Sequence, residues 1–492
     1  MQYLSDLHLH SKYSRAVSPR MTLPLMAEFA HQKGLDILTA SDWTHTLWFK
    51  EIIGLLEEAG QGIYALKSEA RNLPAGKAGP KSETNSNDKN PNAQKKILFL
   101  LSTEISSIYK QGEKLRRIHN LVFVPGFDIA EKVNKELLKR GCNLSSDGRP
   151  IVGLTSKALL ELILSIDERS MLIPCHVWTP HFGVYGSKSG FDSLDEAFGA
   201  LSKYVYGIET GISSDPEMNW RIKELSNRSI LSFSDAHSPA NMAREATAFE
   251  LEAPTYENIR KAIMRPSKST TGTTGITSTT GKKAPDTRGT LDTRDTLNRI
   301  AYTIEFYPEE GKYHFSGHRN CKVSFSPVEL VEKGKICPVC QRELTEGVAP
   351  RIEILAGAEA AKEYKEKTSE SGIKWYTDKT RNHPPYVKLV RLEQIIAAGL
   401  GVTTGSQKVP EMYAKMCKEL GSEMDILLKI NLDQIENSSN ERTAQTLKKV
   451  RGGGIGISPG YDGEYGKVKI WSEEEEERET KGAEAPQLKL DI

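Results

Sequence analysis

Short apolar segments alternate with amphipathic ones over residues 1–265, and this pattern constrains the chain more than any other feature. Strands are expected at Gln2–His8, Leu35–Ala40, Lys96–Ser102, Asn120–Pro125, Met171–Cys175, Val205–Ile208 and Ser229–Ser234. Helical patterns fall between them at Thr22–Lys33, Ile129–Lys139, Ser156–Ser165 and Asn219–Leu225. Such alternation predicts a parallel α/β barrel or sheet. The 492 residues leave room for more. At ~100–200 residues per domain, about three domains fit.

Two polar segments punctuate the chain. Residues 71–95 hold little that could bury surface and are read as a disordered insertion. Residues 266–298, rich in Thr, Gly and Ser, are read as a linker. The expected organisation is therefore a first domain over 1–265, the linker, a cysteine-bearing module over 299–352, a mainly helical and Gly/Tyr-rich region over 353–471, and an acidic tail over 472–492. Helices are expected in that region at Ala358–Ser369, Leu392–Leu400, Pro410–Leu420 and about Ile430–Val450. The tail from 473 carries eight acidic and three basic residues, so the rest is mildly basic although the whole chain has a net charge of +1. A mild basic excess is compatible with a nucleic-acid partner. No run of apolar residues is long enough to span a bilayer. Met1–Asp6 has no basic stretch leading into an apolar one, so no signal peptide, no membrane partner and a cytoplasmic location are expected.

The ends of the expected strands carry the chemistry. Asp6-Leu-His8-Leu-His10 opens the chain, and residues two apart on a strand share a face, so both imidazoles can reach one ion. Asp235-Ala-His237 repeats that spacing. Asp42, Glu104, His176 and Glu209 each follow a strand, and His119 stands just ahead of Leu121–Val124. Barrel enzymes assemble sites from the C-terminal ends of strands. Mixed imidazole and carboxylate ligands suit Zn²⁺ or Mn²⁺, and carboxylates can bridge two ions. A second cluster, His318-x2-Cys321 and Cys337-x2-Cys340 separated by fifteen residues, has the spacing of one closed tetrahedral Zn²⁺ site of structural type. His314 is a less well spaced alternative to His318.

Asp-Leu-His-Leu-His, Glu104, His119, His176 and the closing Asp235-Ala-His237 resemble the polymerase and histidinol phosphatase (PHP) superfamily of distorted (β/α)7 barrels. The resemblance implies phosphoester hydrolysis by a multi-metal-activated water, with two or three divalent ions (Zn²⁺, Mn²⁺ or Mg²⁺). It implies ligand roles for His8, His10, Asp42, Glu104, His119, His176, Asp235 and His237, with Asp6 orienting a ligating histidine. The second motif reads Ser41-Asp42-Trp43-Thr44-His45, so Asp42 or His45 could ligate, and Asp42 is favoured. His10 and Asp235 are the candidate catalytic residues for the leaving group.

The barrel, zinc module, helices and Pro459-Gly-Tyr461-Asp-Gly-Glu-Tyr465-Gly together resemble the endonuclease Q family, as do Arg117-Ile-His119-Asn-Leu, Glu209-Thr-Gly-Ile-Ser-Ser-Asp-Pro216 and Phe233-Ser-Asp-Ala-His237. That resemblance implies a DNA repair enzyme cutting 5′ to deaminated bases (uracil, hypoxanthine, xanthine) and abasic sites. Lys388, Arg391, Tyr461 and Tyr465 are candidate DNA contacts, cations for phosphate and flat rings for bases. The last residues, Gln487-Leu-Lys-Leu490-Asp-Ile492, resemble a sliding-clamp-binding peptide, with Gln487, Leu490 and Ile492 as its anchors. The competing functions are a PHP phosphoesterase for small phosphate monoesters and a catalytically dead nucleic-acid-binding regulator.

Overall fold

The computed structural model describes residues 1–71, 96–264, 298–357, 364–380, 382–472 and 475. The expected insertion, linker and acidic tail, including Gln487, Leu490 and Ile492, lie almost wholly outside these residues. Gln2–Asp6 pairs in parallel with Ile37–Thr39, and that strand with Leu98–Gln111. The helix Leu23–Lys33 makes the first crossover. It carries a proline in its first turn and ends at Gly34, whose positive φ of 88° lets its N–H close on Ala30. Gly207–Glu209 and Ser229–Leu231 form a further parallel pair.

The all-parallel expectation is corrected at several pairings. Lys114–Val124 runs antiparallel to both Leu98–Gln111 and Met171–Pro174, and Ala246–Glu250 runs antiparallel to Gln2–Asp6. The reason at the first of these is the connection. Only Gly112 and Glu113 join the two arms, and a parallel crossover needs a dozen residues or more. Both arms also extend beyond the expected Lys96–Ser102 and Asn120–Pro125. Their outer residues mix polar and apolar side chains rather than forming an apolar run. Phe127–Lys139 and Ser156–Ile166 match their expected helices closely, whereas Asn219–Leu225 divides into the helix Pro216–Trp220 and a single turn Lys223–Leu225.

Leu100, Leu121, Phe123, Ile173, Leu231 and Phe233 form a core shared by these strands, and the helix Tyr256–Met264 packs on it through Tyr256, Ile259 and Ile263. The ligand-bearing turns lie beyond the strand ends from this core.

The sheet does not stop where the first region does. Arg299–Glu305 pairs with Ala246–Glu250, and Tyr386–Lys388, Lys374–Asp378 and Tyr364–Thr368 follow in order. Pairing of this kind covers an edge that would otherwise expose unpaired backbone groups. It also corrects the helix expected at Ala358–Ser369. Residues 364–368 are a strand, held by a tight turn at Gly372 (φ 79°) against Trp375 and Tyr376, residues that favour strands. Residues 358–363 lie outside the described ones. The helices Leu392–Leu400, Lys408–Leu420, Glu423–Leu428, Leu432–Ser438 and Glu441–Arg451 follow. Asn440 caps the last one by accepting the Thr443 N–H, which breaks the expected 430–450 helix in two. Buried Lys33 joins these helices to the first region through Glu423 at 2.5 Å and Glu393 at 3.1 Å. A buried pair of this kind specifies how the parts sit more than it adds stability.

Candidate active site and metal centres

Three chain turns put residues of the site in place, and each requires unusual backbone. Asp42, His176 and Asp235 all have positive φ (54°, 30° and 47°). Non-glycine residues rarely adopt that region, and such strain clusters at functional sites. Gly211, itself at φ 58°, lies against His176 so closely that a Cβ there would meet the His176 Cβ at 2.4 Å. Asp6 holds two of these segments together. Its carboxylate accepts the Ser234 N–H at 3.0 Å and the Ala243 N–H at 3.1 Å. Burial pushes its pKa up to about 6 in spite of those bonds. It therefore clamps the backbone beside Asp235.

Glu104 is the centre of the site. Its Oε2 lies 3.2 Å from His10 Nε2 and 3.8 Å from His8 Nε2. Asp235 Oδ1 completes this group at 2.9 Å from His10 Nε2 and 3.7 Å from His8 Nε2. The other oxygen, Oε1, meets His119 Nδ1 closely and His176 Nε2 at 3.3 Å, and those two nitrogens are 3.2 Å apart. Each group offers ligand atoms close enough to hold one ion, and the carboxylate of Glu104 is common to both. His8 Nε2 is buried with no hydrogen-bond partner, as a ligand nitrogen would be before its ion arrives.

The outward nitrogens are occupied. His8 Nδ1 pairs with Glu209 at 2.8 Å, His10 Nδ1 with Asp42 at 3.3 Å and His176 Nδ1 with Thr179 Oγ1 at 3.0 Å. An imidazole whose far nitrogen donates to an oxygen keeps its near lone pair free for a metal. Asp42, expected as a ligand, is placed against the far nitrogen of His10. Its second oxygen accepts the Ser11 N–H at 2.6 Å and the Ser14 hydroxyl at 2.8 Å, and it joins neither group. His45 does not replace it. That ring caps the helix Thr46–Leu55 and stacks on Tyr13. His237, also expected as a ligand, lies beside the first group but outside it, its ring 4.7 Å from that of His10.

Charge follows this geometry. Burial opposes the charge on Glu104, yet the His119 imidazole and the Arg149 guanidinium hold its carboxyl well below the usual range. Burial likewise opposes the charge on Asp235, and His10, His8 and His237 hold it low. His8 and His10 are raised against burial, chiefly by Glu209 and Asp42 respectively, while burial drives His119 down to about 4. Arg149, whose Nη1 reaches Glu104 Oε2 at 3.1 Å, was not legible as a site residue because it sits in the loop Gly148-Arg149-Pro150, which has no periodic signal.

His318, Cys321, Cys337 and Cys340 converge as their spacing implies. The hairpin Ser316–His318 and Val323–Phe325 carries the first knuckle, with Lys322 at φ 55° turning the chain. Cys340 Sγ lies 3.3 Å from His318 Nδ1. His314 is buried elsewhere, against Phe315. The proposed DNA contacts fare differently. The Lys388 ammonium is largely enclosed and bonded to Asp215 at 2.6 Å, whereas the half-buried Arg391 donates to the neutral amide of Asn241 at 2.9 Å and keeps further N–H donors. Tyr461 packs on the cysteine-bearing module through Phe315 and Gly317. Tyr465 is 61% exposed, with the Lys312 ammonium 4.5 Å from its ring centre. Among the described residues, no helix is long and apolar enough to cross a membrane.

The family model described as the MJ0043 C-terminal domain matches residues 391–454. The chain is similar to the uncharacterized protein MJ0043 of Methanocaldococcus jannaschii, 26% identical over 298 residues, a match that covers 59% of this chain and only 31% of that protein. It is also similar to the uncharacterized protein YqxK of Bacillus subtilis, 24% identical over 479 residues and 98% of that protein. Among solved structures, the lesion-specific endonuclease PfuEndoQ from Pyrococcus furiosus superposes with a TM-score of 0.71 at 27% identity, covering 96% of each chain. Endonuclease Q in complex with a 27-mer duplex substrate, with an abasic lesion at the active site, gives a TM-score of 0.72 at 26% identity over the full length of both chains. Likeness of fold along essentially the whole molecule supports the endonuclease Q family for this chain.

Proposed function

We propose that the chain is a metal-dependent DNA repair endonuclease that cuts the phosphodiester 5′ to deaminated bases (uracil, hypoxanthine, xanthine) and abasic sites. The observation that carries the chemistry is the divided carboxylate of Glu104, one oxygen in each ligand group. The damaged-DNA substrate is supported by the relatives named for lesion specificity and for an abasic duplex. The strand path supports a distorted PHP-type barrel. In this reading His8, His10, Glu104 and Asp235 hold one divalent ion and Glu104, His119 and His176 a second, with one structural Zn²⁺ on His318, Cys321, Cys337 and Cys340.

Ions held in the two groups supply Lewis acidity toward water and toward the phosphoryl oxygens. The chain's own residues do the positioning. Glu209, Asp42 and Thr179 fix the imidazoles from behind. Arg149 adds a fixed positive charge beside Glu104. Of the two candidate catalytic residues, the His10 side chain is fully enclosed while that of Asp235 is 26% exposed. Asp235 is therefore the one that meets an entering phosphodiester.

The test is a labelled duplex with one deoxyuridine or deoxyinosine, incubated with Mg²⁺, Mn²⁺ or Zn²⁺. One nick immediately 5′ to the lesion is expected, and none in the undamaged duplex. Hydrolysis of a small phosphate monoester alone would sink this reading, and so would a shifted but uncut duplex. The sliding clamp is proposed as a partner of Gln487, Leu490 and Ile492. Deleting residues 487–492 should abolish capture by immobilised clamp and spare cleavage of free oligonucleotides. Persistent capture would remove the proposal.

A further inference from the structure

The hairpin that delivers Glu104 and His119 continues well past them. Ser106 lies opposite His119, Ile108 opposite Arg117 and Lys110 opposite Leu115. Opposed residues of an antiparallel pair share a face, as do residues two apart along each arm. Glu104, Ser106, Ile108 and Lys110 therefore lie on one face with His119, Arg117 and Leu115. That face is buried at Glu104 and His119, half-buried at Ile108 and Arg117, and exposed at Lys110 and Leu115. The ribbon leaves the protein along the same face that carries the metal ligands.

Its charge is one-sided. Residues 108–117 contain Lys110, Lys114, Arg116 and Arg117 against Glu113 alone, in a chain of net charge +1. Arg116 is on the opposite face and is engaged there, its guanidinium 3.9 Å from the Phe191 ring centre and bonded to the Gly190 carbonyl. Among the described residues, no carboxylate pairs with Lys110, Lys114 or Arg117. Burial, then the charges of Arg117 and Lys188, push His181 below its ordinary value, which marks a positive field beside the ribbon.

Given that the chain acts on DNA, we propose that this face is a phosphate track leading out of the metal groups, with Arg117 and Lys110 as its binding residues. Same-face side chains on a strand are about 7 Å apart. Arg117 is one such step from His119, and Lys110 three steps from Glu104. Each DNA strand presents a phosphate about every 3.4 Å of helix axis, so cations at this spacing keep pace with the backbone. A guanidinium one step from the ligands can grip a neighbouring phosphate with two hydrogen bonds.

Lys114 lies opposite Gln111, on the other face, and supplies the internal comparison. Affinity for lesion and undamaged duplexes is measured against salt concentration for Arg117→Ala, Lys110→Ala and Lys114→Ala. Arg117→Ala and Lys110→Ala should each weaken binding to both duplexes by up to about tenfold and flatten the salt slope by about 0.9, the signature of one lost phosphate contact. Lys114→Ala should leave the slope near the parent value, and metal content should be the same in all three. An unchanged slope in the first two variants means a solvated edge only and overturns the track. Equal small losses in all three mean a diffuse field and overturn it as well. A parent protein that binds no duplex defeats the proposed function along with the track. A parent that nicks at lesions, beside variants with parental slopes, defeats the track alone.

Discussion

Asp235→Ala is expected to reduce cleavage of a lesion duplex by at least about 10³-fold while duplex affinity stays within a few-fold of the parent value. The carboxylate is one of four ligand atoms in the first group and the partly exposed one among them. Without it, His8 and His10 lose their shared anionic partner and the ion they would hold is bound more weakly. Binding should survive because the surfaces proposed to contact DNA are built from other parts of the chain. Asp235→Asn separates charge from shape. Asparagine tolerates the positive φ of 47° at this position better than alanine does, so the variant keeps the turn and loses only the anion. Both variants should be inactive and both should bind. Single-turnover cleavage, fluorescence anisotropy with labelled duplex and metal analysis measure the three quantities. More than a tenth of parental cleavage in Asp235→Asn would show that Asp235 is not a ligand.

Cys337→Ser should do the opposite. The cysteine-bearing module proposed to hold zinc has a small core cluster of Phe325, Leu330, Cys337 and Leu344, with Cys321, Val323 and Cys340 packed against it. So few apolar groups cannot hold a fold of this size, and structural Zn²⁺ contributes about 10–16 kcal/mol in comparable small modules. Loss of one thiolate should release one ion per chain and melt the module. Because Asp462 accepts the Arg319 N–H at 2.8 Å, the Tyr461–Tyr465 turn should loosen with it. DNA affinity should fall by about tenfold or more, on the scale of losing several contacts, and the other ions should remain. If Asp235→Ala and Cys337→Ser reduced binding equally, the division between cutting and gripping would be wrong.

Much of the site was legible because it rests on local periodicity. His8 and His10, or Asp235 and His237, are two residues apart, and a strand puts such pairs on one face whatever surrounds it. The paired knuckles of the zinc module are equally local. The helices Leu23–Lys33 and Phe127–Lys139 could be read from apolar spacing and from Pro24 and Gly34. Direction was less accessible. The strand holding His119 reads as parallel while its neighbour is taken to end at Ser102, and only the extension of both arms to a two-residue turn fixes the direction.

The amino-acid sequence by itself determined which side chains could serve as ligands, where most elements lie and that two separate metal-type clusters exist. Only the tertiary structure decided how those side chains divide the work. It gave the two oxygens of Glu104 to different groups, set Asp42 against the far nitrogen of His10, joined Lys388 to Asp215 and brought Arg149 onto Glu104. The reason is range. A ligand's partners stand tens to hundreds of positions away along the chain, and no periodicity within one segment encodes which far atom ends up 3 Å from it.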